Sequence, residues 1–138
     1  MLLKTLLNSI ENHKSFVYDK VRLVKHNDCQ QIEVEIRPRE NSRPRCSGCG
    51  ASCPGYDRHA VRRFEYVPLW AIPVFFVYAM RRVNCPECDI KVEEVPWAVG
   101  KHQHTRSYSR FLAKWAQRLS WSEVAEVFGT TGIVSMTP

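Results

Sequence analysis

The chain has 138 residues, 44% apolar and 25% charged, a composition that folds and that excludes collagen-like, low-complexity and disordered classes. The 20 Lys and Arg against 14 Asp and Glu give a formal charge of +6 and a pI near 9.1, which directs attention to polyanionic partners. The longest apolar run, residues 69–80, contains Pro73 and falls short of the roughly 18 to 20 residues of a membrane span. The first ten residues carry Lys4 and offer neither a long apolar segment nor a small-residue cleavage site, so we expect no signal peptide, no membrane contact and a cytoplasmic location.

From the N-terminus, Leu2, Leu3, Leu6, Leu7 and Ile10 recur at intervals of three and four, which predicts a short helix covering a core. Residues 16–24 and 31–37 are rich in β-formers, and Ile32, Val34 and Ile36 alternate with Gln31, Glu33 and Glu35. They predict a hairpin around a turn at 25–30, with one face buried and one wet. The polar stretch 37–45, with Pro38 and Pro44, predicts a connector at a module boundary. Strands are expected again at 61–69, where Phe64 and Tyr66 alternate with Glu65, at 74–83, and at 90–95. From Ser107 the period turns helical: Tyr108, Phe111, Leu112, Trp115 and Leu119 share a face, Ser120 and Glu123 form a capping box, and Gly129 stops the second helix. A helix, a capped helix and a Gly-led turn are the front half of a helix-turn-helix.

Six cysteines in a cytosolic chain argue against disulfides, and their spacing argues for metal. Cys46 and Cys49, then Cys85 and Cys88, are two Cys-x2-Cys pairs, the pattern of two knuckles that deliver four thiolates to one tetrahedral Zn²⁺. The segment between them, residues 50–84, is longer than the usual 15 to 20 or so and must hold structure of its own. Gly48 and Gly50 permit a tight turn, and Pro86 presets the bend after Cys85. Strands that end at a metal make a zinc ribbon, in which zinc is expected to replace the core that so small a sheet cannot bury. The fold class is therefore α+β: an N-terminal helix and hairpin at 1–44, a four-cysteine zinc ribbon at 45–100, and a partial helix-turn-helix at 105–138.

Cys29 has no partner at ligand spacing and reads as a bystander, whereas Cys53, four residues after Cys49, is an alternative ligand. A redox Cys-x-x-Cys does not explain why there are two such pairs. His102 and His104 share a face if extended, but no carboxylate or thiol nearby in sequence completes a second metal site, so surface titration is the simpler role. Trp70, Trp97, Trp115 and Trp121 are candidates for base stacking, with core packing preferred for Trp115. No Ser/His/Asp arrangement suggests a nucleophilic enzyme, and no catalytic residue is assigned.

Residues 37–63 hold seven Arg against Glu40 and Asp57. Together with cations further along the chain, this stretch gives a candidate phosphate-binding surface of Arg58, Arg62, Arg63, Arg81, Arg82 and Lys101. Arg81 and Arg82 have a second candidate task, because four thiolates around Zn²⁺ leave a formal −2 to be compensated. The metallated chain would then stand nearer +4 than +6.

Taken in order, Cys46-Ser-Gly-Cys-Gly50, Arg81-Arg-Val-Asn-Cys-Pro-Glu-Cys88 and Leu119-Ser-Trp-Ser-Glu-Val-Ala-Glu-Val-Phe-Gly129 resemble the N-terminal part of the ISL-three family of bacterial insertion-sequence transposases, over roughly residues 30–131. The resemblance implies a four-cysteine zinc module and a helix-turn-helix that bind double-stranded DNA at the element's terminal repeats, ahead of a longer catalytic domain with an acidic metal-binding triad. Here the sequence ends at Pro138, so that domain is expected to be absent, as in a truncated copy or fragment, and the chain is expected not to be an enzyme by itself. Residues 132–138 are few for a recognition helix and lack basic or amide side chains, which favours phosphate contacts over base readout. The alternatives are a zinc-ribbon interaction module that packs on itself or on a full-length transposase, and a remnant without function.

Overall fold

The computed structural model describes residues 3–100, 102–117 and 119–128. Its elements run α1 (Leu3–Ile10), β1 (Phe16–His26), β2 (Cys29–Pro38), β3 (Gly55–Leu69), β4 (Ile72–Cys85), β5 (Asp89–Val92), α2 (Arg106–Ala116) and α3 (Trp121–Phe128), an α+β arrangement. The five strands form one sheet of order β1-β2-β4-β3, with β5 also paired to β4.

Two long antiparallel hairpins, β1–β2 and β3–β4, are joined by a parallel ladder that sets Ile32 through Glu35 beside Val74 through Val77. The connector between β2 and β3 is thus a crossover within one sheet, and residues on both sides of it enter one core. Because β3 fills the other edge of β4, β2 and β5 share the remaining one, β2 at its start and β5 at Arg82 to Cys85.

The alternation expected in β2 is present: Ile32, Val34 and Ile36 are buried and Gln31, Glu33 and Glu35 are half-buried. In β4 the same period buries Val74, Phe76, Tyr78 and Met80. Against this face pack Leu7 of α1, Phe64 of β3 and, after β5, Val95, Trp97 and Ala98. Trp97 is 1% exposed and lies at the centre, edge-on to Phe16 at 4.9 Å, Tyr78 at 5.3 Å and Phe64 at 5.8 Å, the arrangement that ring quadrupoles favour. The sheet therefore has its own aromatic core, which corrects the expectation that a metal would substitute for one. The strands do not bury it unaided: α1 and the segment after β5 supply much of the cover.

The turns of the two long hairpins, β1–β2 and β3–β4, are two residues long, and the first is tighter than the six-residue turn expected at 25–30. Asn27 and Asp28 have φ of 52° and 63°, and Trp70 and Ala71 have φ of 50° and 60°, as type I′ turns require at both central residues. Asn and Asp tolerate that region, whereas Trp and Ala adopt it at a cost.

Thr105 caps α2 by accepting from the Tyr108 amide at 3.2 Å. The capping box expected at Ser120 is formed, with the Glu123 amide donating to Ser120 Oγ at 3.2 Å and the Ser120 amide to Glu123 Oε1 at 3.3 Å. Tyr108, Leu112 and Val124 make a second small core with Val67 of β3 packed against it. Residues 129–138, where the turn and remaining part of the helix-turn-helix were expected, lie outside the described residues. Among the described residues no helix is long and apolar enough to cross a membrane.

Candidate functional site

The β3–β4 hairpin carries Cys85 on the last residue of β4, and a short turn brings Cys88 back before β5 begins. The first knuckle is closed on itself by a bridge between Arg45 and Ser52 and laid alongside by another between Cys46 and Glu93, just beyond β5. As a result the Sγ atoms of Cys46, Cys49, Cys85 and Cys88 all lie within 4.8 Å of one another, with Cys49 and Cys85 at 3.6 Å. Sulfurs gathered from residues so far apart in sequence can hold one metal ion, and no other such group occurs among the described residues.

The backbone is shaped to the sulfurs. The Gly48 amide donates to Cys46 Sγ at 3.3 Å. A Cβ at Gly48 would stand 3.0 Å from Cys88 Sγ, so a larger residue there pushes on a ligand. Gly50 has φ of +76°, in the left-handed region where glycine is at ease. Backbone amides of Cys88 and Glu87 point at Cys85 and bring its thiol down to about 6, because an N–H dipole favours the thiolate. Neighbouring thiols and burial push Cys88 the other way, up to about 12; four sulfurs this close cannot all carry charge without a cation among them.

Cys53 is buried beside the cluster and its thiol donates to the Ala51 carbonyl at 3.4 Å; the four-sulfur group is complete without it. Cys29 is exposed at the first hairpin turn, paired in register with His26.

The arginines expected to hold phosphates are mostly engaged within the protein. Arg81 Nε lies 2.9 Å from Oε2 of Glu93, whose side chain is 0% exposed, and Tyr78 also donates to that carboxylate. Arg81 is therefore spent on a buried carboxylate, which is neither of the two roles expected of it. Arg82 grips Asp57 across the strands through both Nε and Nη2. Arg62 donates to the Gly100 and His102 carbonyls at 3.3 and 2.9 Å, and Arg63 bonds Gln31 at 2.8 Å and lies over the Phe75 ring at 4.1 Å. Arg58 is exposed and makes no ion pair among the described residues. Lys101 lies outside the described residues.

His104 is buried, with Nε2 3.4 Å from Glu65 Oε1 and its ring edge-on to Tyr108, so the surface role expected for the pair is left to exposed His102. Trp115, expected in a core, is 42% exposed and only leans on Phe128, while Trp70 at its hairpin tip is 85% exposed.

The transposase for insertion sequence element IS1557 from Mycobacterium tuberculosis is 29% identical to this chain over 125 residues, 90% of this chain and 26% of that protein. Its counterpart from a second strain matches equally. The chain is related in sequence to a transposase. It spans about a quarter of the length of these curated relatives, at 26%. No protein-family profile and no solved structure matches it.

Proposed function

We propose that this chain is a zinc-dependent DNA-binding unit of transposase type, which recognises the ends of an insertion sequence. The observation that carries the reading is the similarity to a transposase along 90% of the chain, a span that includes both cysteine pairs.

Zinc is the metal that suits the site. A tetrahedral ion with Zn–S bonds of about 2.3 Å sets its sulfurs about 3.8 Å apart, and the Cys49–Cys85 separation of 3.6 Å fits that. Bound there, the ion serves as a closed structural crosslink that fixes the 46–49 turn against the end of the β4–β5 hairpin. The protein's own residues prepare the place: Gly48 leaves room for Cys88, and the amides of Glu87 and Cys88 favour the Cys85 thiolate.

For DNA, a chain of formal charge +6, nearer +4 once four thiolates hold a zinc ion, supplies a phosphate-directed affinity in which each neutralised phosphate releases counterions. Of the six cations expected to contribute, Arg58 is the best placed, since it is exposed and unpaired among the described residues. Arg62, Arg63 and Arg82 contribute only by leaving partners they already have.

The test has two parts. Elemental analysis should give one zinc per chain, lost in Cys85→Ser, and a chelator should loosen the fold followed by circular dichroism. Affinity for duplex DNA should then fall steeply between about 50 and 200 mM salt. A folded, metal-free protein overturns the zinc reading, and absence of salt-dependent retention on DNA overturns the rest.

A further inference from the structure

The three charged residues of α2 are Arg106, Arg110 and Lys114, and the helix contains no acid. They follow one another at four-residue intervals, the spacing that stacks side chains along one helix face. All three are exposed, while Tyr108 and Leu112 on the opposite side are buried against β3 and α3. At 1.5 Å per residue the three cations form a ladder about 12 Å long.

Among the described residues nothing accounts for this ladder. None of the three forms an ion pair among the described residues, in contrast to Arg22, Arg63, Arg81 and Arg82 of the sheet. Like charges four apart weaken a helix, and Arg106 sits in the first turn, where the helix dipole disfavours a cation. The neighbouring helix has the opposite character: α3 carries Glu123 and Glu126 and no Lys or Arg. A polyanion approaching the helical pair is drawn to α2 and repelled by α3.

We propose that the exposed face of α2, through Arg106, Arg110 and Lys114, grips the phosphate backbone of duplex DNA. The inference rests on the DNA-binding reading above and adds a site to it: the main phosphate clamp lies on α2, Arg58 of the sheet adds to it, and Arg62, Arg63, Arg81 and Arg82, held by their own partners, are secondary. Arg106 also borders a groove in which Arg62, Arg63 and Lys91 are offset by the carboxylates Glu65, Glu93 and Glu94, so the clamp rests on the exposed face of α2. Contacts of this kind position a protein on DNA and carry no sequence information.

The experiment compares the 138-residue chain with the double variant Arg110→Ala/Lys114→Ala, by fluorescence anisotropy on a labelled duplex at about 50, 100 and 200 mM salt. Both side chains are exposed, and circular dichroism and zinc content check that fold and site are retained. Losing two phosphate contacts should lower the slope of log affinity against log salt by about 1.8. The drop in affinity between about 50 and 200 mM salt should then be about tenfold smaller than in the parent chain. The same change is expected on a duplex of unrelated sequence. A parent chain that binds DNA, with a variant of unchanged slope, overturns this inference alone; a parent chain that does not bind overturns it together with the DNA-binding reading.

Discussion

Arg81 shows how an ordinary surface residue type becomes part of a core. Its guanidinium and the Tyr78 hydroxyl both serve the Glu93 carboxylate, which solvent does not reach. Removing one partner of such a buried pair leaves the other uncompensated, at a cost of roughly 3–5 kcal/mol. Arg81→Ala should therefore destabilise the chain on that scale in urea unfolding, while Arg82→Ala, which breaks a pair left in water, should shift the urea midpoint far less. The cysteines are the opposite case. Two residues between ligands is a covalent constraint, and so Cys46, Cys49, Cys85 and Cys88 could be picked out from spacing alone. Nothing local to Arg81 or Glu93 announces their pairing, because it depends on the turn after Cys85 that lays the two side by side. Gly48→Ala tests how closely the knuckle fits: with a Cβ 3.0 Å from Cys88 Sγ, metal should bind several-fold more weakly in a competition with a chromogenic chelator.

Among the elements, the hairpins were legible as pairs of strands and illegible as turns. Period-two alternation tells which face of β2 is buried, but it cannot tell which strand lies beside β2, and the parallel ladder to β4 had no signature in the sequence. The turn at 70–71 was hidden for a different reason, since it lacks the Asn or Gly that marks a type I′ loop. Ala71 at φ of 60° is held there by the register of the flanking strands. Ala71→Gly removes the left-handed penalty and adds the entropy of a freer unfolded chain, with a net gain of about 0.5 kcal/mol expected, to be read as a higher urea midpoint. The helical ends were more open to inspection, because caps are local. Ser120→Ala should cost about 1 kcal/mol, read in the same way.

At the scale of the whole molecule, Glu11 is the meeting point. Just past the end of α1, its carboxylate accepts from Ser107 of α2 and, at 3.4 Å, from Tyr66 of β3, and lies 3.3 Å from His13. Its backbone carbonyl accepts from Tyr18 of β1. The His13 contact above all, helped by Ser107 and Tyr66 and opposed by burial, holds the Glu11 carboxyl below its ordinary value of 4.5. A lowered carboxylate pKa in the folded state contributes stability that is present above about 4.5 and lost as pH falls through the folded value. Glu11→Gln should accordingly flatten the fall of Tm with pH between about 5 and 3. The alkaline limb has the reverse sign. Burial, with the Glu11 charge, pushes Tyr66 up from 10.0 to about 12, so its contribution is intact below pH 10 and disappears as pH rises toward 12. Tyr66→Phe should reduce that loss.

The parallel ladder also has a history in time. The β1–β2 hairpin leaves the ribosome with one edge of β2 open, and its partner strand does not begin until Ile72, thirty-odd residues after Pro38. At about 5–20 residues per second that interval is some 2–7 seconds. For that long an unpaired strand with Ile32, Val34 and Ile36 on one face stands available to any other chain. Glu33 and Glu35, pointing to the other face, are the charges that guard it in the meantime. Recombinant yield of this protein should therefore rise with slower induction and cooler growth, conditions that thin out neighbouring nascent hairpins before β4 arrives.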